Sequence, residues 1–157
     1  MNDEAQAWFR KARDELETAR ITRNLVSSDC IVDRAYFAMF SAATAMGVAE
    51  GKRYPKCSMW LSAFGEAFVD TGRVRSQFLN DLREAYRLRR CAVYGLREED
   101  RMTGEMADSL VSKAQSFVTM AEDFLRGSGG KSENPKETKP APCGRPRGAG
   151  GLSLIHI

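Results

Sequence analysis

Two short stretches carry the side chains most able to do chemistry. The run Arg89-Arg90-Cys91-Ala92-Val93-Tyr94 sets two guanidiniums and a phenol within one short segment. On a helix that spacing brings the cations and the phenol near one face. Arg83, Arg87 and Arg90 extend the cationic side at steps of four and three residues, although Asp81 and Glu84 are placed to neutralise it in part. Guanidiniums grip phosphates and carboxylates through paired N–H donors. A nucleic-acid contact, a partner contact, a solvated helix face and catalysis are therefore the open readings. No exposed aromatic residues interleave the stripe, so the nucleic-acid signature is weak. The second stretch, some fifty residues upstream, is Asp33-Arg34-Ala35-Tyr36-Phe37-Ala38-Met39-Phe40. It reads as a buried helix with one charged end, in which Arg34 either pairs with an acidic neighbour or joins the later arginines in a polar site.

Apolar residues recur at three- and four-residue steps along most of the chain, and alternating β-branched runs are missing, which is the pattern of an all-α protein. The first helix is expected over about 3–25, with Trp8, Ala12, Leu16, Ala19 and Arg23 on its inner face. Ser27-Ser28-Asp29 supplies an N-cap for a second helix over about 29–50, which Gly51 stops. A third runs over about 56–70 with Trp60, Phe64 and Phe68 inward, and Thr71-Gly72 ends it. The fourth spans about 75–94 and presents Phe78, Leu82, Ala85 and either Leu88 or Arg89. The fifth spans about 102–126, with Met106, Leu110, Ala114, Phe117, Met120, Ala121 and Phe124 inward. Five helices with short connections predict a single up-and-down bundle.

Composition divides the chain at about residue 126. Residues 1–126 hold one of the five prolines, whereas 127–157 hold four, together with seven of the thirteen glycines. Such a stretch has no apolar face with which to offset its ordering entropy, so it is expected to be a disordered tail. Its last segment, Leu152 to Ile157, reads as the translation of a sequencing adapter rather than as native protein, so His156, the one histidine, carries no functional weight. The tail has five basic and two acidic residues, which accounts for the net charge of +3 and leaves residues 1–126 with 19 of each sign. The basic pI is thus a property of the tail and is poor evidence for nucleic-acid binding. The four cysteines show no C-x-x-C spacing and lack histidine partners, so neither a metal nor another cofactor is expected. The N-terminus is polar and no apolar run approaches a membrane span, so the expected location is cytoplasmic.

Taken in order, the two motifs resemble those of the HEPN domain, a helical module of prokaryotic toxin–antitoxin and nucleotidyltransferase-linked systems. The likeness covers about Trp8 to Leu125. It is nearest to a branch with a D-R-A-Y-Y-A-M-F-like helix and a later R-x-x-A-D-Y, from which this chain departs by carrying Val93 in place of the acid. The resemblance implies a homodimer, a possible nucleotidyltransferase-type partner protein and a possible RNA ligand. Active members cleave RNA without a metal through R-x4-6-H at a dimer seam, where arginine holds the phosphate and histidine moves protons. Here Arg89-x4-Tyr94 keeps the spacing and loses the histidine. An ordinary tyrosine titrates near pH 10, so roughly one in a thousand is ionised at pH 7. Missing acid–base help costs on the order of 10²–10⁴ in rate. Arg90 or Cys91 stands where a polar residue often follows the arginine, and Leu96 stands where some members carry a modifiable tyrosine. Cys57 replaces a histidine found in many relatives. The resemblance therefore implies a binding module without robust catalysis, in which Arg83, Arg87, Arg89, Arg90 and Tyr94 contact nucleic acid or a partner and Asp33, Arg34, Tyr36 and Phe37 form the helix-two motif. The rival is a metal-independent ribonuclease acting through Arg89, Arg90 and Tyr94.

Overall fold

The computed structural model describes residues 2–54 and 59–128. Within them the chain forms α1 (Asp3–Ile21), α2 (Ser28–Ala49), α3 (Met59–Phe64), α4 (Ser76–Tyr94) and α5 (Gly104–Ser128). A π-helical turn over Gly65–Val69 follows α3, and a 3-10 turn over Glu98–Asp100 precedes α5. No strand occurs among the described residues. The fold is the expected all-α bundle, with α1, α2, α4 and α5 alternating in direction and the short α3 returning between α2 and α4.

The centre of the bundle is α2, which packs against α1, α4 and α5. A helix on one side of a core has a single apolar stripe, but α2 buries Ile31, Val32, Ala35, Tyr36, Ala38, Met39, Ala42, Ala43, Ala45 and Met46 around most of its circumference. Its alanines let neighbouring backbones approach. Near its end Gly47 has no Cβ because the Tyr54 ring lies where one would go, with Cζ 2.8 Å from the position. The predicted punctuation holds. The Ser27 hydroxyl accepts the Cys30 N–H (3.3 Å) as the N-cap of α2. Gly51 and Gly72 both take positive φ (73° and 76°), a backbone region open chiefly to glycine.

Several boundaries and facings differ from the sequence reading. The first helix stops at Ile21, because beyond Thr22 there is no core for it to cover and Leu25 is 79% exposed. Its buried face is Ala5, Phe9, Ala12, Leu16 and Ala19, with Trp8 at the edge. Arg23 points out and pairs with Asp108 on α5. The third helix is not one regular α-helix. The Asp70 N–H reaches back five residues to the Gly65 carbonyl (2.9 Å), which widens the turn. Residues four apart drift around a regular α-helix, and the wider turn reduces that drift, so Trp60, Phe64 and Phe68 are all buried as predicted. Gly65 also admits Leu79 of α4 at close range. The last helix runs two residues past the expected domain boundary. The proposed tail beyond Ser128, including His156, and the Cys57 position lie outside the described residues.

Two polar clusters define the ends of the bundle. At one, Glu50 at the end of α2 binds Arg73 and Lys52, and Asn2 reaches the Val48 carbonyl (3.3 Å). Burial alone would raise the Glu50 carboxyl, but its hydrogen bonds to Arg73 and Lys52 bring it below its ordinary value. At the other end Asp29 of α2 accepts the Met102 N–H (3.2 Å), which ties the start of α2 to the approach to α5. The C-terminal turns of α1 and α4 gather at this same end, and so do both motifs.

Candidate functional site at the α2–α4 end

The two motifs meet through an ion pair between a buried arginine and a half-buried aspartate. Arg89 is 3% exposed, and its Nε–H donates to Asp33 Oδ1 at 2.9 Å. The guanidinium also lies 5.2 Å from the Tyr36 ring centre and 4.9 Å from that of Phe37. Both rings belong to the helix-two motif, so Arg89 is embraced by Asp33 and by the side chains three and four residues further along α2. Contacts of a cation with aromatic faces contribute about 0.5–2 kcal/mol each, most when water is excluded. Tyr36, 2% exposed, touches Phe37, Phe40, Trp60 and Tyr86 in one aromatic cluster. Burial pushes its phenol up to about 12, against the opposing pull of Arg89, so it is a neutral structural group at any physiological pH.

Arg34 lies elsewhere. It is exposed and donates from Nη1 to Glu15 Oε2 of α1 (3.0 Å), so the acidic-neighbour reading describes its position and the helix-four reading does not. Asp33, its neighbour, is the residue that reaches α4.

Arg90, one residue beyond Arg89, is turned out of the core by the helical step of about 100°. With Arg87 and Tyr94 it borders an open groove of about 500 Å³, completed by Tyr86, Cys91, Gly95 and Asp100. Tyr86 lines the groove and touches Tyr36 (ring centres 6.2 Å apart), so the groove backs onto the cluster that holds Arg89. Gly95 is required here, since a Cβ would collide with Asp100 and the Cys91 carbonyl. The Asp100 carboxyl is held below its ordinary value by hydrogen bonds from the Arg97 side chain and backbone. Arg83, Arg87 and Arg90 are exposed, and no carboxylate among the described residues pairs with them. Asp81 and Glu84 do not neutralise them as the sequence suggested. Asp81 is buried, with Gln77 as donor (3.3 Å), and Glu84 is paired with Lys113 of α5 (2.8 Å).

The arrangement thus divides the arginine pair. Arg89 belongs to the core, while Arg90 and Arg87 present cationic donors beside the Tyr94 hydroxyl and can hold a phosphate or carboxylate. No cluster of three or more potential metal ligands occurs among the described residues. The sequence reading missed the Asp33–Arg89 pair and the part played by Tyr86. The signal was present in the spacing Leu82, Ala85, Arg89, which puts the arginine on the buried phase of α4.

The sequence matches the HEPN domain family over residues 5–124. It is 28% identical over 118 residues to a UPF0332 protein of Thermotoga maritima, covering 75% of this chain and 88% of that protein. A UPF0332 protein of Gloeobacter violaceus is 30% identical over 125 residues, covering 80% and 98%. A Methanocaldococcus jannaschii protein named "Putative toxin MJ0605" is 28% identical over 127 residues, covering 80% and 92%. The motif helices, the bundle that brings them together and these matches agree: the chain belongs to the HEPN domain family.

Proposed function

We propose that this HEPN protein acts by binding, as part of a toxin-related system, and does not turn over RNA at an appreciable rate. The observation that carries the reading is the position of Arg89. The arginine that keeps the Arg-x4 spacing is buried in an ion pair with Asp33 and covered by Tyr36 and Phe37, so its guanidinium braces two helices. The groove beside it offers Arg87, Arg90 and Tyr94, which suit holding an anionic group. Where a proton carrier would be needed, the chain has a tyrosine. A relative named as a toxin supports the system, and the family supports a homodimer with the α4 end near its seam, a nucleotidyltransferase-type partner protein and RNA as an alternative ligand. The competing reading is a metal-independent ribonuclease that uses Arg89 or Arg90 with Tyr94.

The test is incubation of purified full-length protein with single-stranded and structured RNA in EDTA, beside the Arg90→Ala variant. The expected result is no cleavage above background by either. Robust wild-type cleavage, indifferent to EDTA and lost in Arg90→Ala, would overturn the binding reading and put the ribonuclease first.

A further inference from the structure

The solvent face of α4 is unusual in this protein. Ser76, Asn80, Arg83, Arg87, Arg90 and Tyr94 are all exposed and fall within roughly 80° of arc, opposite the buried Leu82, Ala85 and Arg89. No acidic residue lies on that strip. Elsewhere most arginines are paired: ten of the fifteen described have a carboxylate within 4.0 Å. Three of the remaining five are Arg83, Arg87 and Arg90, consecutive on one stripe. The nearby acids are turned away, Asp81 into the core and Glu84 to Lys113. The stripe ends at the groove, walled by Tyr86, Cys91 and Tyr94, beside exposed Val93 and Leu96 (43% and 97%).

We propose that this face is the docking surface for an acidic amphipathic helix of a partner protein, with three carboxylates opposite Arg83, Arg87 and Arg90 and an apolar side chain seated in the groove. The spacing carries the choice of occupant. The cations rise about 6 Å and then about 4.5 Å along the axis, which is the register of carboxylates at i, i+4 and i+7 on a facing helix. A polyanion is served less well. Residues 1–126 carry equal numbers of basic and acidic side chains, so no broad positive field gathers a phosphate backbone. Val93 and Leu96 also offer aliphatic surface that an apolar anchor uses and a phosphate backbone does not. The proposal rests on the reading of the chain as a binding module and names the chemistry of its partner.

The test uses the full-length protein and a labelled synthetic peptide of about 18 residues, long enough to hold a helix in water. It carries Glu at i, i+4 and i+7 and leucines toward one end, and is compared with a scrambled peptide and a labelled single-stranded RNA by fluorescence anisotropy at about 50 mM salt. The expected result is peptide binding about tenfold or more tighter than the scramble, weakened by added salt. Arg83→Glu/Arg87→Glu/Arg90→Glu should abolish it, and a peptide with Lys in place of Glu should bind that variant instead. These three side chains are exposed and hold no ion pair among the described residues, so circular dichroism should report an unchanged fold. Equal binding of peptide and scramble would overturn the proposal. So would RNA binding with the same arginine dependence and no peptide binding, or self-association of the chain through these arginines that excludes the peptide. RNA cleavage by a chain that still takes the peptide would sink the binding-only reading and leave this one standing.

Discussion

At the scale of residues, adjacent arginines have opposite duties because the helix separates them by about 100°. Losing one member of a buried ion pair costs about 3–5 kcal/mol when the other is left uncompensated. Asp33 is 31% exposed, so water softens that cost, and Arg89→Ala or Asp33→Ala is expected to lose about 2–4 kcal/mol in urea unfolding. Arg34→Ala breaks only an exposed pair and should cost about 1 kcal/mol or less. If Arg34→Ala proved the more damaging, the assignment of the brace to Asp33 would be wrong. Tyr36 gives a second prediction through pH. Its folded pKa of about 12 lies above the ordinary value of 10, so its contribution is intact below pH 10 and is lost as pH rises through 12. Two pH units correspond to roughly 2–3 kcal/mol. Tyr36→Phe should flatten the fall of stability over that window. Tyr54, also raised by burial, would keep part of the slope. A Tyr36→Phe curve parallel to wild type at pH 10–12 would contradict the burial of this phenol.

At the scale of elements, the caps, the glycine stops and the existence and order of the helices were legible in the sequence, since each has a local cause. The Ser27 cap and the positive φ of Gly51 and Gly72 follow from the residues themselves. Facing was less legible. Arg23 shares the phase of Leu16 and Ala19, yet it lies beyond the last turn the core reaches, and only the tertiary packing decides that. The π turn was hidden because no cap, proline or spacing in the sequence marks it, although Gly65, where it begins, is where Leu79 of another helix comes close. The candidate site was half legible. Motif residues were identified by type and spacing, and the phase of α4 marks Arg89 as an inward candidate, but the partner it meets there, Asp33, lies 56 positions away along the chain. Two element-scale outcomes follow. Ser41 is fully buried on α2 and its hydroxyl has no hydrogen-bond partner among the described residues, so Ser41→Ala should leave stability unchanged or raise it by about 1 kcal/mol. A loss above that would reveal a partner for the hydroxyl. Gly95→Ala should cost about 1–3 kcal/mol by forcing the Glu98–Asp100 turn away from α4, and should open the groove. A melting temperature equal to wild type would show that the turn yields freely.

At the scale of the whole molecule, six of the seven exposed large apolar residues among those described (Ile21, Leu25, Val26, Val93, Tyr94 and Leu96) belong to the end of the bundle where the two motifs meet. The homodimer in the proposed function would place its seam on the α1 side of that end, at Ile21, Leu25 and Val26 and clear of the α4 stripe, and sedimentation at tens of micromolar should report a dimer that Leu25→Ser weakens. A monomer under those conditions would remove the seam from the account. The central claim is that Arg89 holds the fold while Arg90 faces the ligand. It is tested most directly by measuring thermal melting and RNA turnover on the same preparations of wild type, Arg89→Ala and Arg90→Ala. Arg89→Ala should melt several degrees lower, Arg90→Ala should melt with wild type, and none of the three should turn over RNA. A wild type that cleaves RNA, with Arg89→Ala melting normally and cleaving nothing, would contradict it.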